Sequence, residues 1–351
     1  MISTLIYKII EVLFYIIKIT NYEMAKKCNS NLNTAKKKKN DEFYTRLIDI
    51  EDELKHYKDY FSNKIVYCNC DDPYRSNFVK YFITNFETLN LKQLVVTCYK
   101  HPGVNENKFE DGSDIPIKFV YNGGDIDDAI VTLLEGDGDF RSDECIAILN
   151  EVDVVVTNPP FSLFRDFIDT LIENNSNFIV IGSQNDISNV NIFNYLHKGK
   201  LWLGVNNVKQ FICYVEDENN INKNVKFDND LGCYMATFGN IGWYTNIEHD
   251  KRIDEIELTK TYNPIDYPVY DNYDAISVSR VKDIPKDYAG EMGVPITFIK
   301  NYSPSQFEII GNSHQLAKPT IVNGKVKKVR RFYVKEKCLY DRIVIKNRKL
   351  K

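Results

Sequence analysis

The sequence predicts an α/β fold built on a mostly parallel, doubly wound sheet. From residue 41 to residue 186, apolar segments of strand length alternate with segments of helix length. The strand-like segments are apolar throughout, which is typical of strands that helices cover on both faces. The 351-residue chain has 43% hydrophobic and 27% charged residues, a composition typical of a folded globular protein.

The predicted elements follow one another in a regular order. The first is a helix within 41–61, whose apolar period is Ile48, Leu54, Tyr57 and Phe61. A hairpin is expected around the segment IPIKFVYNGGD, inside an irregular acidic insert. The other predicted helices are 75–86, 142–152 and 162–175, and the predicted strands are 64–72, 91–99, 129–140, 152–158 and 177–186, with further strands between 201 and 247.

Polar and aromatic residues follow four of these strands. In open parallel sheets, ligands bind beyond the carboxyl ends of the strands, along one edge. The residues expected at this edge are Asp71 and Asp72, Tyr99, Asp139 and Phe140, and Asn158 to Phe161. We therefore expect the ligand site there.

The segment VVVTNPPFSLF, residues 154–164, contains the most informative of these strand ends. Proline fixes its own φ and pushes the preceding residue toward extended geometry, so Pro159 and Pro160 hold the strand-to-helix junction open. We expect the Asn158 side-chain oxygen and the Pro159 carbonyl to point outward, as acceptors for one NH₂ group, with the Phe161 ring close by. This arrangement suits the exocyclic amine of adenine, whose lone pair it would aim at an electrophilic methyl group. The alternative is an ordinary turn after a strand.

The Asn158–Phe161 segment resembles the catalytic motif of amino-methyltransferases that use S-adenosylmethionine. Together with DEFYT (41–45), CNCDDPYRSNF (68–78), GDGDFRSDEC (136–145) and GVPITF (293–298), it makes the chain similar to the EcoRI-type adenine-specific (N6) DNA methyltransferases from residue 40 onward. The resemblance implies a Rossmann-like methyltransferase fold and transfer of a methyl group to a flipped-out adenine, within a restriction-modification system.

The resemblance also assigns roles to residues. Asn158, Pro159, Pro160 and Phe161 would be catalytic and hold the adenine. The residues implied to bind the cofactor are Phe43, Tyr44, Thr45, Asn69, Asp71, Asp72, Asp139 and Phe140. The sequence departs from the family pattern in having Arg46 where a proline is usual and no G-x-G at 69–72. Asp71 and Asp72 also suit the alternative role of capping the following helix.

The charges of the chain are segregated, although its formal net charge is only −4. Residues 106–153 are acidic, whereas the segment from Lys325 to the end is strongly basic. We expect this basic segment to contact DNA phosphates, in particular through Lys327, Lys328, Arg330 and Arg331. The target base must leave the duplex to reach the site. Double-stranded DNA is the expected partner, together with a possible cognate restriction endonuclease.

Three regions are expected. Residues 1–40 form an N-terminal extension, in which 1–23 suit a start site placed before Met24 or, alternatively, an amphipathic surface helix. Residues 41–249 form the catalytic domain, and 250–351 form the target-recognition region with the basic tail. The scattered cysteines indicate reduced thiols in a cytoplasmic protein, and the isolated histidines indicate a reaction without a metal. No stable membrane partner is expected, because Lys8, Glu11 and Lys18 interrupt the apolar N-terminal segment.

Two other functions compete with the DNA methyltransferase. One is an RNA or protein-glutamine methyltransferase that shares the Asn-Pro-Pro-Phe/Tyr motif. The other is a degenerate, non-catalytic homologue that binds nucleic acid, which the missing G-x-G suggests.

Overall fold

A computed structural model describes residues 44–99, 116–213, 225–322, 324–327 and 330–350, and gives no side-chain placement for 213, 325 and 327. The predictions for residues 1–40, Phe43 and Lys328 lie outside this part of the chain. The chain divides into two compact units. Of the described residues, those within 1–181 and 208–239 form the first unit, and those within 182–207 and 240–351 form the second.

Most residues of a ten-stranded sheet belong to the first unit. Its strands are β1 (Tyr44–Thr45), β2 (Ile65–Cys68), β3 (Gln93–Thr97), β4 (Ile117–Tyr121), β5 (Ile130–Leu133), β6 (Val154–Thr157), β7 (Asn177–Ser183), β8 (Trp202–Cys213), β9 (Val225–Asp228) and β10 (Cys233–Thr245). Their order is β1-β8-β10-β7-β6-β2-β3-β4-β5, with β9 beside β10. The neighbours β7, β6, β2 and β3 are all parallel, so their carboxyl ends share one edge.

Four helices belong to the first unit: α1 (Leu47–Leu54, continued by a 3₁₀ turn at Lys55–Phe61), α2 (Asn77–Thr84), α3 (Asp143–Leu149) and α4 (Phe164–Glu173). The side chains of Ser76 and Ser142 cap α2 and α3 by accepting from backbone N–H groups of the first turn. Each helix buries one apolar face, and in α4 this face is Phe164, Phe167, Ile168 and Leu171. The fold is therefore a mixed α/β fold with a large, mostly parallel sheet, as the sequence predicts.

Two details of the prediction are wrong. The predicted strand 129–140 ends at Leu133 and is the second strand of a hairpin, antiparallel to β4, with all four of its residues exposed. Asp139 and Phe140 therefore lie in the connection to α3 rather than directly at a strand end. On α1, Ile48 is 53% exposed, and Ile50 is the residue that packs in the core.

The second unit contains a five-stranded sheet in the order β11-β12-β13-β19-β14. These strands are β11 (Val269–Tyr270), β12 (Tyr273–Ser277), β13 (Met292–Pro295), β14 (Phe307–Asn312) and β19 (Arg342–Asn347), and short hairpins pair β15 (Thr320–Val322) with β16 (Lys325–Lys327) and β17 (Tyr333–Val334) with β18 (Lys337–Cys338). Helices α5 (Val190–His197) and α6 (Ser313–Leu316) complete it. Within the described residues, no helix is long and apolar enough to cross a membrane.

Candidate active site

The Asn-Pro-Pro-Phe motif directly follows the buried strand β6. Its four strand residues, Val154 to Thr157, are fully buried, whereas Asn158 and Phe161 are half-buried. A 3₁₀ turn at Phe161–Leu163 then leads into α4, and the Leu163 backbone N–H donates to the Pro160 carbonyl at 2.9 Å. The motif thus lies at the shared carboxyl edge of the parallel strands, as the alternation of elements predicts.

The Asn158 amide is oriented differently from the sequence-based expectation. Its Oδ1 atom has less than 1 Å² of exposed surface, so this oxygen does not point outward in this conformation. A half-turn about χ2 exchanges Oδ1 with the Nδ2 group. Presentation of the oxygen to a base therefore requires a rotation of the amide.

Three phenylalanine rings meet beside the motif. Phe161 contacts Phe211 of β8 with ring centroids 5.8 Å apart and Phe238 of β10 at 6.2 Å, both edge-to-face. Phe211 and Phe238 are themselves 5.8 Å apart. Phe211 is fully buried, while Phe161 and Phe238 remain partly exposed. Sequence reasoning missed Phe211 and Phe238 because only long-range strand pairing brings them to residue 161.

Strand β1 places the N-terminal motif beside these rings. It pairs antiparallel with β8, so that Tyr44 lies opposite Ile212 and Thr45 opposite Phe211. The Thr45 Oγ1 atom is buried and has no hydrogen-bond partner among the described residues. Tyr44 is half-buried, and Phe43, the third predicted residue of this motif, lies outside the described residues.

Arg46 occupies the position where the family usually has proline. Its φ of −68° is the angle that proline imposes, so the backbone is the same in this respect. Its guanidinium group forms an ion pair with Asp49 at 2.7 Å and donates to Gln210 of β8 at 3.0 Å. These bonds fix the motif to β8 without proline.

The loop after β2 holds the predicted residues Asn69, Asp71 and Asp72. Asn69 is buried, and its Oδ1 has no hydrogen-bond partner among the described residues. Asp72 accepts from the backbone N–H groups of Tyr74 and Arg75 at 2.8 and 3.1 Å, which fixes the turn before α2. The helix cap that the sequence left open as an alternative for Asp72 is supplied by Ser76 instead, while Asp72 fixes the turn before it.

Asp71 is buried and accepts from two hydroxyl groups. Its Oδ1 accepts from Ser76 at 2.6 Å and its Oδ2 from Thr157 at 2.5 Å. Burial raises the pKa of Asp71 to about 6, although both hydrogen bonds act in the opposite direction. Thr157 is the residue immediately before Asn158, so this carboxylate links the loop after β2 to the motif.

Asp139 and Phe140 reach the same edge through a loop. Gly138, with φ +78°, passes so close to Cys98 after β3 that a Cβ there would lie 2.2 Å from the Cys98 carbonyl oxygen. Asp139 forms an ion pair with Arg141 at 2.7 Å, and the hydrogen bond from Arg141 lowers its pKa. Phe140 is only 5% exposed, with its ring against Phe167 at 5.0 Å. It therefore packs in the core and presents no open face.

The arrangement fits a cofactor that carries positive charge and hydrogen-bond donors. A buried acceptor without a partner costs about 1–3 kcal/mol, and both Thr45 and Asn69 contain such an oxygen. Asp72 lies in the same loop as Asn69, and Arg141 partly neutralises Asp139. Within the described residues, no group of three or more potential ligands could hold a metal ion.

The predicted phosphate-binding residues belong to the second unit. Arg330 and Arg331 are exposed. The guanidinium group of Arg331 lies 3.5 Å from the carboxylate of Asp341, which partly neutralises it. Lys327 is the last residue of β16, and Lys328 lies outside the described residues.

Together, a mostly parallel α/β sheet and an Asn-Pro-Pro-Phe segment at its carboxyl edge define the class: a methyltransferase that acts on an amino group. The comparisons with known proteins specify it further. The chain matches the family described as "Adenine-specific methyltransferase EcoRI" over residues 31–348. It belongs to this family, and it is a type II DNA methyltransferase specific for adenine.

Three curated relatives span most of the chain. It is 42% identical to the type II methyltransferase M.EcoRI of Escherichia coli, over 92% of this chain and 98% of that protein. It is 39% identical to M.MgeORF184P of Mycoplasma genitalium, over 80% and 85% of the two chains. It is 36% identical to M.MpnI of Mycoplasma pneumoniae, over 90% and 98%. No solved structure matches the chain.

Proposed function

We propose that the edge formed by β1, β2, β6 and the three phenylalanine rings binds S-adenosylmethionine and an extruded adenine side by side. One observation supports this proposal above the others. Antiparallel pairing puts Thr45 of the N-terminal motif opposite Phe211, whose ring contacts Phe161 of the Asn-Pro-Pro-Phe motif. Two motifs more than 100 residues apart therefore meet where methyl donor and acceptor need to be adjacent.

In this proposal, Asn158 and Pro159 grip the target amine. After rotation of its amide, the Asn158 oxygen accepts one N–H of the adenine amino group, and the Pro159 carbonyl accepts the other. The lone pair of the exocyclic amino nitrogen is delocalised into the ring, so holding both hydrogens of this group favours the pyramidal geometry needed for attack. Phe161 stacks on the base, with Pro160 fixing the turn that positions its ring. Such stacking contributes about 1–3 kcal/mol per base.

The cofactor is assigned to the residues on the β1 and β2 side. When bound, S-adenosylmethionine supplies an electrophilic methyl group on a sulfonium. Phe43, Tyr44, Thr45 and Asn69 would surround its methionine part, with Thr45 and Asn69 accepting from its donors. Asp72 and Asp139 would supply negative charge toward it. Both oxygens of Asp71 accept from hydroxyl groups of the protein and the Phe140 ring packs against Phe167, so these two residues support the site from behind in this proposal.

DNA binding is assigned to the second unit. Residues 250–351 would read the target sequence, and Lys327, Lys328, Arg330 and Arg331 would contact phosphates. An adenine within a duplex cannot reach Asn158, so the enzyme flips the base. We also propose a cytoplasmic location and a cognate endonuclease that cuts the same sequence, as expected for a restriction-modification system.

Methylation of duplex DNA tests this proposal. Purified protein is incubated with labelled S-adenosylmethionine and unmethylated genomic DNA, and the nucleosides are analysed by mass spectrometry. We expect N6-methyladenine within one sequence context, and no transfer to structured RNA or to protein. Methyl transfer to RNA or glutamine, or cofactor binding without transfer, would contradict it.

Replacing the target adenine with 2-aminopurine tests base flipping separately. We expect its fluorescence to rise when the protein and a cofactor analogue bind, because the base loses its stacking partners. An unchanged signal in a complex that still methylates normal DNA would contradict flipping alone.

A further inference from the structure

Asp71 connects three parts of the active-site edge through side-chain hydrogen bonds. One carboxylate oxygen accepts from Thr157, the last residue of β6, and the other accepts from Ser76. Ser76 is also the cap of α2, since its Oγ accepts from the Phe78 backbone N–H at 3.0 Å. Asp71 thereby ties the end of β6 to the start of a helix.

The next residue extends this connection to β1. The Asn77 side chain donates from Nδ2 to the Thr45 backbone carbonyl at 2.8 Å. Residues 71–77 thus bind the strand end before Asn158 and the strand that carries Thr45. This loop therefore helps to fix the relative position of the two motifs, together with the pairing of β1 with β8.

Both carboxylate oxygens of Asp71 already accept from hydroxyl groups, unlike the buried oxygens of Thr45 and Asn69, so the bonding of Asp71 is internal to the protein. The residue is 6% exposed, Ser76 is 2% exposed and Thr157 is fully buried. Burying a carboxylate costs free energy unless hydrogen bonds compensate for it. Here the two hydroxyl groups provide that compensation, and both come from elements that flank the site.

We propose that Asp71 is a positioning residue, which fixes the backbone at Thr157 and thereby sets the location of the Asn158 amide and the Pro159 carbonyl. This inference rests on the proposed function of Asn158. It replaces the direct cofactor contact that the family resemblance implies for Asp71. Asp71 itself touches neither base nor cofactor; it acts through Thr157.

The test compares identical substitutions at two buried strand ends. Thr157→Val removes the hydroxyl group that reaches Asp71. Thr97→Val is the matched control, because Thr97 ends β3 of the same sheet, is fully buried and bonds to the Tyr67 hydroxyl at 2.8 Å. Thr157→Ser restores the hydroxyl. For each protein, kcat, the KM for DNA, the KM for S-adenosylmethionine and the melting temperature are measured.

We expect Thr157→Val to lower kcat by about 10- to 100-fold, since a misplacement near 1 Å costs up to that much. Both KM values should stay within about twofold and Thr157→Ser should recover most of the rate, because the hydrogen bond acts on position rather than on binding. Thr97→Val should lose similar thermal stability with kcat nearly unchanged. Equal kcat losses in both valine variants would overturn the proposal, as would a raised KM for the cofactor at unchanged kcat.

Two further results keep the outcome decisive. If Thr157→Val does not fold, Ser76→Ala removes the other hydrogen bond of Asp71 and is expected to lower kcat with the same KM pattern; unchanged kcat in this variant would overturn the proposal. A wild-type protein that methylates no adenine would instead reject the proposed function. A wild-type protein and a Thr157→Val variant that are equally active would reject only the positioning role.

Discussion

The end of β6 and the basic C-terminal segment differ in how much of their geometry is fixed. At the end of β6, Thr157 is buried and bonded, and Phe161 contacts two rings from other strands. In the C-terminal segment, Arg330 and Arg331 are exposed, and Arg331 lies beside an acid. We infer that the first region determines the rate of the reaction through position, whereas the second determines affinity through charge.

The largest expected effect is a loss of methylation rate at the end of β6 with no loss of DNA affinity. Asn158→Ala should lower kcat by about 10³-fold, because it removes an acceptor that acts on the reacting amine. DNA affinity should change little. The measurement is single-turnover methylation together with DNA binding by fluorescence anisotropy.

The matched control for this variant is Asn174→Ala. Asn174 is a half-buried amide that ends α4 and donates to the Thr170 carbonyl at 2.8 Å. The Asn174→Ala variant should methylate at the wild-type rate. Turnover retained in Asn158→Ala would show that residue 158 is not the catalytic amide.

Phe161→Ala should have the next largest effect. Loss of stacking on the base costs about 1–3 kcal/mol, which corresponds to roughly 5- to 150-fold in kcat/KM. Phe161→Trp should keep most of the activity, because it retains a flat face. Phe227→Ala is the control, since Phe227 is 51% exposed on β9. Equal losses in the two alanine variants would argue against stacking by Phe161.

The residues at the active-site edge also show which parts of the site could be predicted from the sequence. Asn158 could be placed at the ligand edge because β6 is an uninterrupted apolar segment in an alternating series, and parallel strands end at one edge. Phe211 and Phe238 could not be found, since a strand pattern does not say which strands become neighbours. The prediction that Asp139 lies at a strand end is wrong, because residues 130–133 pair with β4 as a hairpin and the strand ends there. The hydroxyl bonds of Asp71 also depend on tertiary contacts, which no local pattern records.

The pH dependence of stability should differ in sign between two acids, Asp71 at the active-site edge and Asp341 in the C-terminal segment. Burial raises the pKa of Asp71 from 3.8 to about 6, so the native state holds this proton more tightly than the unfolded chain. The stability that Asp71 contributes is complete below pH 3.8 and is lost as the pH rises through about 6. The Asp71→Asn variant has no carboxyl group to ionise at this position, so it should not lose this stability as the pH rises. Its free energy of unfolding, relative to wild type, should rise by about 2 kcal/mol between pH 4.5 and 7.5.

The neighbours of Asp71 do not obscure this comparison. Burial raises the pKa of Cys68 and Cys70 well above the ordinary thiol value, so both stay neutral in this range. Asp72 and Asp139 are present in both proteins. Urea unfolding at several pH values gives the difference, and parallel curves for Asp71→Asn and wild type would contradict the prediction.

Asp341 in the C-terminal segment should behave in the opposite way. Burial acts to raise its pKa, but hydrogen bonds from His314 and Ser188 and the charge of Arg331 outweigh it and lower the pKa. Its stabilising contribution is therefore present at neutral pH and lost on acidification. Asp341→Asn should lose stability relative to wild type as the pH rises from 3 to 6. A loss that is constant over this range would contradict the assignment.

The smallest expected effect concerns the exposed arginines. Arg330→Gln should weaken DNA binding a few-fold and reduce the slope of log affinity against log salt by about 0.9, the value for one phosphate contact. Arg331→Gln should reduce the slope less, because Asp341 already partly neutralises this guanidinium group at 3.5 Å. In both variants, kcat at saturating DNA should equal that of wild type, since neither side chain positions the reacting amine.

Arg280→Gln is the control: Arg280 is an exposed arginine of the same unit, paired with Asp283 at 2.7 Å, and no role is assigned to it. If Arg330→Gln leaves the slope of log affinity against log salt unchanged, the phosphate contacts lie elsewhere. If either arginine variant lowers kcat, the C-terminal segment also affects the rate, and the proposed difference between the two regions is wrong.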